Sequence, residues 1–164
     1  MSDVQSFDVV VVGGGVAGLT AGLFSARLGR STMVLVSLIP GGHLANINQI
    51  EDFPGFPQGV PGYDLGPIIQ EQAMNAGAEF AMAELQSIAR DADAWKITTL
   101  EGEIRARAVI VATGSENRPL GVPGEEEFIG RGVSHCASCD GPLLKGKKVI
   151  VAGAGDSGLQ EALT

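Results

Sequence analysis

Cys136 and Cys139 stand two residues apart, and Asp140 follows at once. Such a Cys-x-x-Cys pair can cycle between dithiol and disulfide, or can supply half of a zinc site. Redox chemistry is favoured here. Zinc takes four ligands, and His43 and His135 are the only two histidines left to complete the set. Covalent haem attachment needs a histidine after the second cysteine, where this chain has Asp140. A reactive pair needs one thiolate of lowered pKa, and Asp140 is placed to act as the general acid/base that moves its proton. The plainer role for that aspartate is a turn or cap residue before Gly141-Pro142. His43, after Gly41-Gly42, reads by itself as a hydrogen-bonded loop histidine.

Two glycine-rich turns flank the dithiol. The first, Gly13-Gly14-Gly15-Val16-Ala17-Gly18, is entered from the apolar run Val9 to Val12 and followed by a helical pattern. That strand–turn–helix context is what gives a Gly-x-Gly-x-x-Gly motif meaning. Gly13 allows the tight turn, Gly15 lets backbone approach a pyrophosphate, and Gly18 lets helix and strand pack closely. The helix N-terminus then offers N–H groups and a partial positive charge to the phosphates. An acid that would hold a ribose is expected about 20 residues on. Val36 and Ser37 stand there, which leaves the Ser37 hydroxyl or backbone groups for that contact. The second turn, Gly153-Ala154-Gly155-Asp156-Ser157-Gly158, follows Val149 to Ala152 and opens a second phosphate site. Two nucleotide turns with a dithiol between them suggest electrons passing from one nucleotide to another and on to a disulfide.

The elements that must position these residues are those of an α/β chain. Phe7 to Val12 and Thr32 to Val36 read as buried parallel strands on either side of a helix from Ala17 to Leu28. Leu19, Leu23 and Ala26 form its apolar stripe. Pro40 to Pro61 is a Gly/Pro-rich loop, long for a plain connection. Asp64 is placed to cap a helix running to about Ala76, with Leu65, Ile68, Ile69, Gln72 and Ala76 as its stripe. Phe80 to Ile88 reads as a strand. Ala94 to Leu100 and Ile104 to Val111 read as a hairpin, ended by Ala112-Thr113-Gly114. Ser115 to Gly124, with Asn117, Arg118 and Pro119, has linker chemistry. Residues 1–116 are expected as one domain and 117–164 as the opening of a second. Lys147 to Ala152 reads as a strand and Ser157 to Thr164 as the start of a helix.

Composition narrows the partners. The 164 residues are 45 % hydrophobic and carry a net charge of −8, with 11 Lys plus Arg against 19 Asp plus Glu. That balance argues against nucleic acid or an anionic membrane surface. No signal peptide is legible at the N-terminus, and the glycine-broken run from Val9 to Phe24 fits a buried strand–turn–helix better than a membrane span. A cytoplasmic location is the expectation.

Taken together, these residues resemble the bacterial low-molecular-weight thioredoxin reductases. Five landmarks fall in that family's order: the Gly13 turn, Pro40-Gly41-Gly42-His43-Leu44, Glu51-Asp52-Phe53-Pro54-Gly55, Ala112-Thr113-Gly114, and Gly132 to Gly141 with the dithiol. The likeness runs the length of the chain and covers the N-terminal half of such an enzyme. It implies a Rossmann-like FAD-binding domain with a parallel sheet and β-hairpin insertion, then the start of a Rossmann-like NADPH-binding domain. It implies that Gly13, Gly15, Val16, Ala17 and Gly18 hold the FAD pyrophosphate. Ser37 would meet the ribose, Gly42, His43 and Leu44 would line the ribityl chain, and Asp52, Ala112, Thr113 and Gly114 would border the isoalloxazine. Gly153, Gly155, Asp156 and Ser157 would begin the NADPH site. Cys139 would face the flavin, Cys136 would attack the partner disulfide, and Asp140 would be the acid. In that family the NADPH domain rotates against the FAD domain.

Departures accompany the likeness. His43 stands where Gln is usual, Asp52 where Asn is common, and no acid ends the second strand. The remainder of the NADPH domain and the returning FAD segment have no counterpart in these residues. The implied function is an FAD- and NADPH-dependent reductase of thioredoxin, with weakened FAD binding at this length and a homodimer or other association through exposed apolar surface. The alternatives are a related flavin dithiol oxidase, a reductase with another donor, or an inactive nucleotide-binding fragment.

Overall fold

The computed structural model describes residues 4–37, 39–115 and 118–163, without the side chains of Ser138 and Cys139. The expected boundary at Glu116 and Asn117 lies outside the described residues. The chain divides into two units, Met1–Gly114 and Ser115–Thr164.

The first unit is a six-stranded sheet with two helices. The strands are β1 (Gln5–Val12), β2 (Thr32–Val36), β3 (Glu79–Met82), β4 (Leu85–Asp91), β5 (Ala94–Thr99) and β6 (Glu103–Val111). They lie in the order β3-β2-β1-β6-β5-β4. β1 pairs in parallel with β2 and β6, and β2 in parallel with β3. β4, β5 and β6 pair antiparallel, which is the expected hairpin with one more strand. All five residues of β2 are buried, as is typical for a parallel strand covered on both faces.

One expected strand is two. The run from Phe80 to Ile88 breaks at Ala83 and Glu84, which carry the chain from one edge of the sheet to the other. The Ala83 N–H donates to Val36 O at 3.0 Å, and the Leu100 N–H donates to Glu84 O at 3.2 Å. Three Cα steps span at most about 10 Å, so the sheet curls until its two edges meet at this corner. Phe7, Val10, Val12, Leu35, Ile97 and Ala106 fill the space enclosed by the curl.

Helix α1 (Val16–Arg27) crosses from β1 to β2 and buries Gly18, Leu19, Gly22 and Ala26. A Cβ on Gly22 would stand 2.5 Å from Val34 Cγ2, so α1 lies closer to the sheet than a side chain would allow. Helix α2 (Gly62–Asn75) packs on α1 through Leu65 and Ile69, joined by Leu19, Ile50 and Val60. Two expectations for α2 are corrected. Pro61 is its N-cap and Asp64 lies inside its first turn, because the Asp64 and Leu65 N–H groups already donate to Pro61 O. Its buried stripe continues to Ala73, while Gln72 is exposed and Ala76 is the C-cap. No described helix is long and apolar enough to cross a membrane.

The second unit holds the short helix α3 (Ala137–Asp140), a 3₁₀ turn Gly141–Leu144, and helix α4 (Asp156–Leu163). The expected strand from Lys147 to Ala152 is not formed. Its residues have no neighbouring strand among the described residues to take their backbone hydrogen bonds, and Ile150 is 96 % exposed. A strand is defined by its partner.

Midway along β1, Asp8 ties three chain segments together. Its N–H donates to Ser31 Oγ at 2.8 Å, the Ser31 N–H donates to Asp8 Oδ2 at 3.2 Å, and Arg107 of β6 donates to Oδ1 at 3.0 Å. The Ser31 N–H first, and the Arg107 guanidinium next, hold the Asp8 carboxyl below the usual carboxylate range. A carboxyl with a depressed folded-state pKa contributes stability above its unfolded value, near pH 3.9, and loses it as pH falls through the folded value. Urea unfolding at stepped pH tests this. Asp8→Asn is expected to flatten the acid limb below about pH 4 while changing the neutral plateau less. An acid limb as steep as the parent's would show that Asp8 is not coupled to folding.

Candidate functional site

The C-terminal ends of the parallel strands β1, β2 and β6 meet at the first glycine turn. The Gly13 N–H donates to Leu35 O at 2.9 Å, and the Ala112 N–H donates to Val12 O at 2.8 Å. Ligands of open α/β sheets bind at this end of the strands. Gly13 has φ +115°, which L side chains rarely adopt, and a Cβ there would meet Ala112 O at 2.2 Å and Thr113 Cα at 3.1 Å. A Cβ on Gly18 would stand 1.8 Å from Gly13 O. The turn and the first turn of α1 are therefore locked to one another backbone to backbone. Gly15 is different: nothing stands within 4 Å of its Cβ position.

Gly15 is the N-cap of α1, and the Leu19 N–H is the first to find an intrahelical partner, Gly15 O at 2.9 Å. The N–H groups of Val16, Ala17 and Gly18 belong to the set that helix geometry leaves unpaired. The first turn of α1 contains no acidic residue. These donors and the open space over Gly15 make a cradle suited to an anion.

The long loop is strapped to this cradle. The Gly41 N–H donates to Gly14 O at 2.8 Å, and a Cβ on Gly42 would stand 3.3 Å from Gly15 Cα. Gly42–Asn46 forms a 3₁₀ turn holding His43 and Leu44, with His43 exposed. α2 supports the loop from below through its own glycines, for a Cβ on Gly66 would meet Pro40 O at 2.5 Å. Ser37 follows β2 directly and is exposed. Gly13, Gly15, Gly18, Gly42, Ala112 and Thr113 are thus neighbours. Gly114 closes the unit after them. Asp52 is exposed on the sub-loop closed by the paired Ile50 and Val60.

The second unit repeats the turn. Gly153 has φ +129°, nothing stands within 4 Å of the Cβ position of Gly155, and a Cβ on Gly158 would meet Gly153 O at 2.5 Å. The Leu159 N–H donates to Gly155 O at 3.0 Å, as Leu19 does to Gly15. Asp156 and Ser157 open α4 and are exposed. Asp156 differs from its counterpart Val16 in placing a carboxylate at the helix start, where it competes with an incoming anion.

Cys136 is half-buried and disulfide-bonded. The Cys139 side chain lies outside the described residues. Around Cys136 the backbone is tied on every side. Its N–H donates to Ser134 Oγ at 3.1 Å, and its carbonyl accepts from the Ser134 hydroxyl at 3.1 Å and the Asp140 N–H at 3.0 Å. The next N–H, of Ala137, donates to the Glu161 carboxylate of α4. Asp140 ends α3 and is half-buried.

Two carboxylates of this unit escaped the sequence reading. Glu125 is 7 % exposed and accepts from the Leu120 N–H at 2.9 Å and the Gly121 N–H at 2.7 Å. The Leu120 N–H is the largest cause that holds its carboxyl below the usual range, and the charge of His135 adds to it. An acid just after Pro123-Gly124 was the local signal for this contact. Glu161 reaches across 24 residues and leaves no local signal.

The comparisons bear on the whole chain. A family model described as pyridine nucleotide-disulphide oxidoreductase matches residues 7–164. The thioredoxin reductase of Treponema pallidum (strain Nichols) is 41 % identical over 157 residues, which cover 96 % of this chain and 51 % of that protein. That of Bacillus subtilis (strain 168) is 40 % identical over 163 residues, 99 % of this chain and 51 % of the relative. The crystal structure of Lactococcus lactis thioredoxin reductase (FR conformation) matches with a TM-score of 0.83 at 39 % identity, covering 96 % of this chain and 52 % of that one. The chain spans about half the length of the curated relatives it matches.

The two inner glycines of the first turn separate packing from binding. Gly18→Ala is expected to destabilise the first unit by about 3 kcal/mol, because the methyl meets backbone that cannot move aside. Gly15→Ala, at φ −72° and ψ 175° with open space beyond, is expected to change stability by less than about 1 kcal/mol. Denaturant unfolding of both variants checks this, and equal losses would mean that the turn is not packed as described.

Proposed function

Because the chain belongs to the pyridine nucleotide-disulphide oxidoreductase family, we propose that it carries the flavin cradle and redox pair of a disulfide reductase. Electrons would pass from NADPH through FAD to Cys136 and Cys139, and on to thioredoxin. The observation that carries this reading is the repeated glycine turn, with a disulfide-bonded cysteine on the stretch between its two copies.

The residues of the first turn fit a flavin nucleotide, and the second turn shares their backbone geometry, with the Asp156 carboxylate as the one feature that opposes an anion there. At each turn the middle glycine faces open space, the third abuts the first, and a helix begins with unpaired N–H groups. Val16 and Ala17 begin that helix in the first turn, and Gly42, His43, Leu44, Ala112 and Thr113 lie beside it or on the segments strapped to it. Bound FAD would supply two-electron transfer between a nicotinamide and a disulfide. Once the pair is reduced, the Cys136 thiolate attacks the disulfide of thioredoxin and forms a mixed disulfide. The Cys139 thiolate then attacks Cys136 Sγ, which releases thioredoxin as a dithiol and restores the Cys136–Cys139 bond. Two electrons and two protons leave the pair, and Asp140 carries a proton from an attacking thiol to a leaving thiolate. Such an enzyme works as a cytoplasmic homodimer, without nucleic acid or membrane partners.

The test is an anaerobic NADPH titration of the chain loaded with FAD, following the absorbance of the protein-bound flavin. Bleaching is expected, with Cys136→Ser bleaching equally well but losing thioredoxin reduction. Gly15→Ala is expected to weaken flavin retention about tenfold or more, the equivalent of ~1.4 kcal/mol. Bound flavin that NADPH leaves oxidised would overturn the choice of donor. Failure to retain flavin would overturn the reading for this chain.

A further inference from the structure

We infer that Glu161 is a positioning residue for the redox pair, clamping the turn that bears Cys136 onto helix α4 and placing a negative charge one peptide unit from its sulfur. The inference rests on the proposed dithiol chemistry, although its geometry does not.

Ala137 opens α3, so its N–H has no partner within that helix. The other backbone groups flanking Cys136 are satisfied locally, by Ser134 and by Asp140. Among these contacts the Glu161 carboxylate alone comes from another element, and α4 is the helix that rises from the second glycine turn. One half-buried side chain therefore joins the dithiol segment to the segment proposed to receive the nicotinamide nucleotide.

The charge has a chemical consequence. The Glu161 carboxylate bonds the peptide N–H immediately after Cys136, which puts its charge next to the residue that bears the sulfur. A like charge there disfavours the thiolate and raises the thiol's proton affinity. Among the described residues, the charged or titratable groups next to Cys136 along the chain are His135 before it and Asp140 at the end of α3, and the His135 charge acts in turn on Glu125. His135 opposes Glu161 when protonated, and Asp140 reinforces it. The reduced pair would keep the Cys136 proton until Asp140 takes it as a partner disulfide is attacked, which guards the dithiol against adventitious oxidants.

Glu161→Gln keeps an oxygen acceptor and removes the charge, whereas Glu161→Ala removes both. The clamp is read in the oxidised chain by amide hydrogen exchange at Ala137. Alanine is expected to speed that exchange by about tenfold or more and glutamine to restore slow exchange. The charge is read in reduced chains carrying Cys139→Ser, where Cys136 is the sole thiol, by the pH dependence of its alkylation by iodoacetamide. His135, Asp140 and Glu125 are common to both chains, so the difference isolates Glu161. Glutamine is expected to lower the midpoint by about half a pH unit, roughly threefold more thiolate on the acid side. Unchanged exchange in the alanine variant would overturn the clamp. An unchanged midpoint in the glutamine variant, with Ala137 still protected, would overturn the electrostatic role. Should alanine unfold the unit, Glu161→Asp, which keeps the charge on a side chain one methylene shorter, reads the clamp by the same exchange: faster exchange at Ala137 is expected, and unchanged exchange would overturn the clamp. Neither measurement uses FAD, NADPH or thioredoxin, so a negative NADPH titration and a negative thiol titration strike separate claims.

Discussion

The Gly13 carbonyl oxygen occupies the place that a side chain on Gly18 would need, at 1.8 Å from the Cβ position. The end of β1 and the start of α1 can therefore close on one another only as bare backbone. The same constraint recurs outward from that point. Gly42 lies against Gly15, the N–H of Gly41 bonds Gly14, and Gly66 of α2 yields to Pro40 and Gly41. While Ile50 and Val60 anchor the later part of the long loop in the core, its start is held over the ends of the parallel strands by these backbone contacts. Such contacts tolerate no added methyl group, yet they leave one gap, above Gly15. The rigidity of the surround and the emptiness of the gap share an origin, since every neighbouring glycine is used up in packing and Gly15 is not.

The second unit reaches order by a different route. Its cysteine segment carries Gly130, Gly132 and Gly141, but none of these meets a neighbour at its Cβ position. Carboxylates and a hydroxyl do the tying instead: Glu125 on the Leu120–Gly121 turn, Ser134 on both backbone groups of Cys136, and Glu161 on Ala137. Hydrogen bonds to charged acceptors are stronger than neutral ones and fix direction as well as distance. They also respond to charge, which glycine packing does not. A cradle that must only exclude side chains is well made from backbone. A thiol pair whose reactivity depends on protonation is better placed among groups that carry charge.

Much of this was legible in the amino-acid sequence, and the misses have a common form. β1, α1, β2 and the β5–β6 hairpin could be read because the information is local: an apolar run, a glycine at each end, a two-residue or 3.6-residue period. The glycine turns announced themselves by spacing. The break at Ala83–Glu84 did not, because those residues lie within one strand-like run whose halves are divided only by which sheet edge each joins. Asp64 looked like a cap because aspartate is a good one, but Pro61 already supplied the carbonyl that starts α2. Glu161 was invisible because its partner lies 24 residues away. In each miss the partner that a group finds, whether the nearby Pro61 carbonyl or the remote Ala137 N–H, decides over the residue's own preference.

The segment from Val149 to Val151 sharpens that distinction. Its composition is that of a buried strand, and β1 shows what such a run becomes between two partners. Here it carries no ladder, and its side chains face solvent. Yet the turn that follows it adopts the same closure as the first, with Gly158 against Gly153 O and the Leu159 N–H on Gly155 O. The glycine turn is therefore set by its own few residues and the helix after it, and does not wait for the sheet. Pairing, by contrast, is a property of two strands and appears only where the second is present. The second glycine turn and the Ala137–Glu161 contact are thus both formed beside a segment that carries no ladder among the described residues. The apolar residues of that segment are the part of the unit whose structure depends most on what they meet.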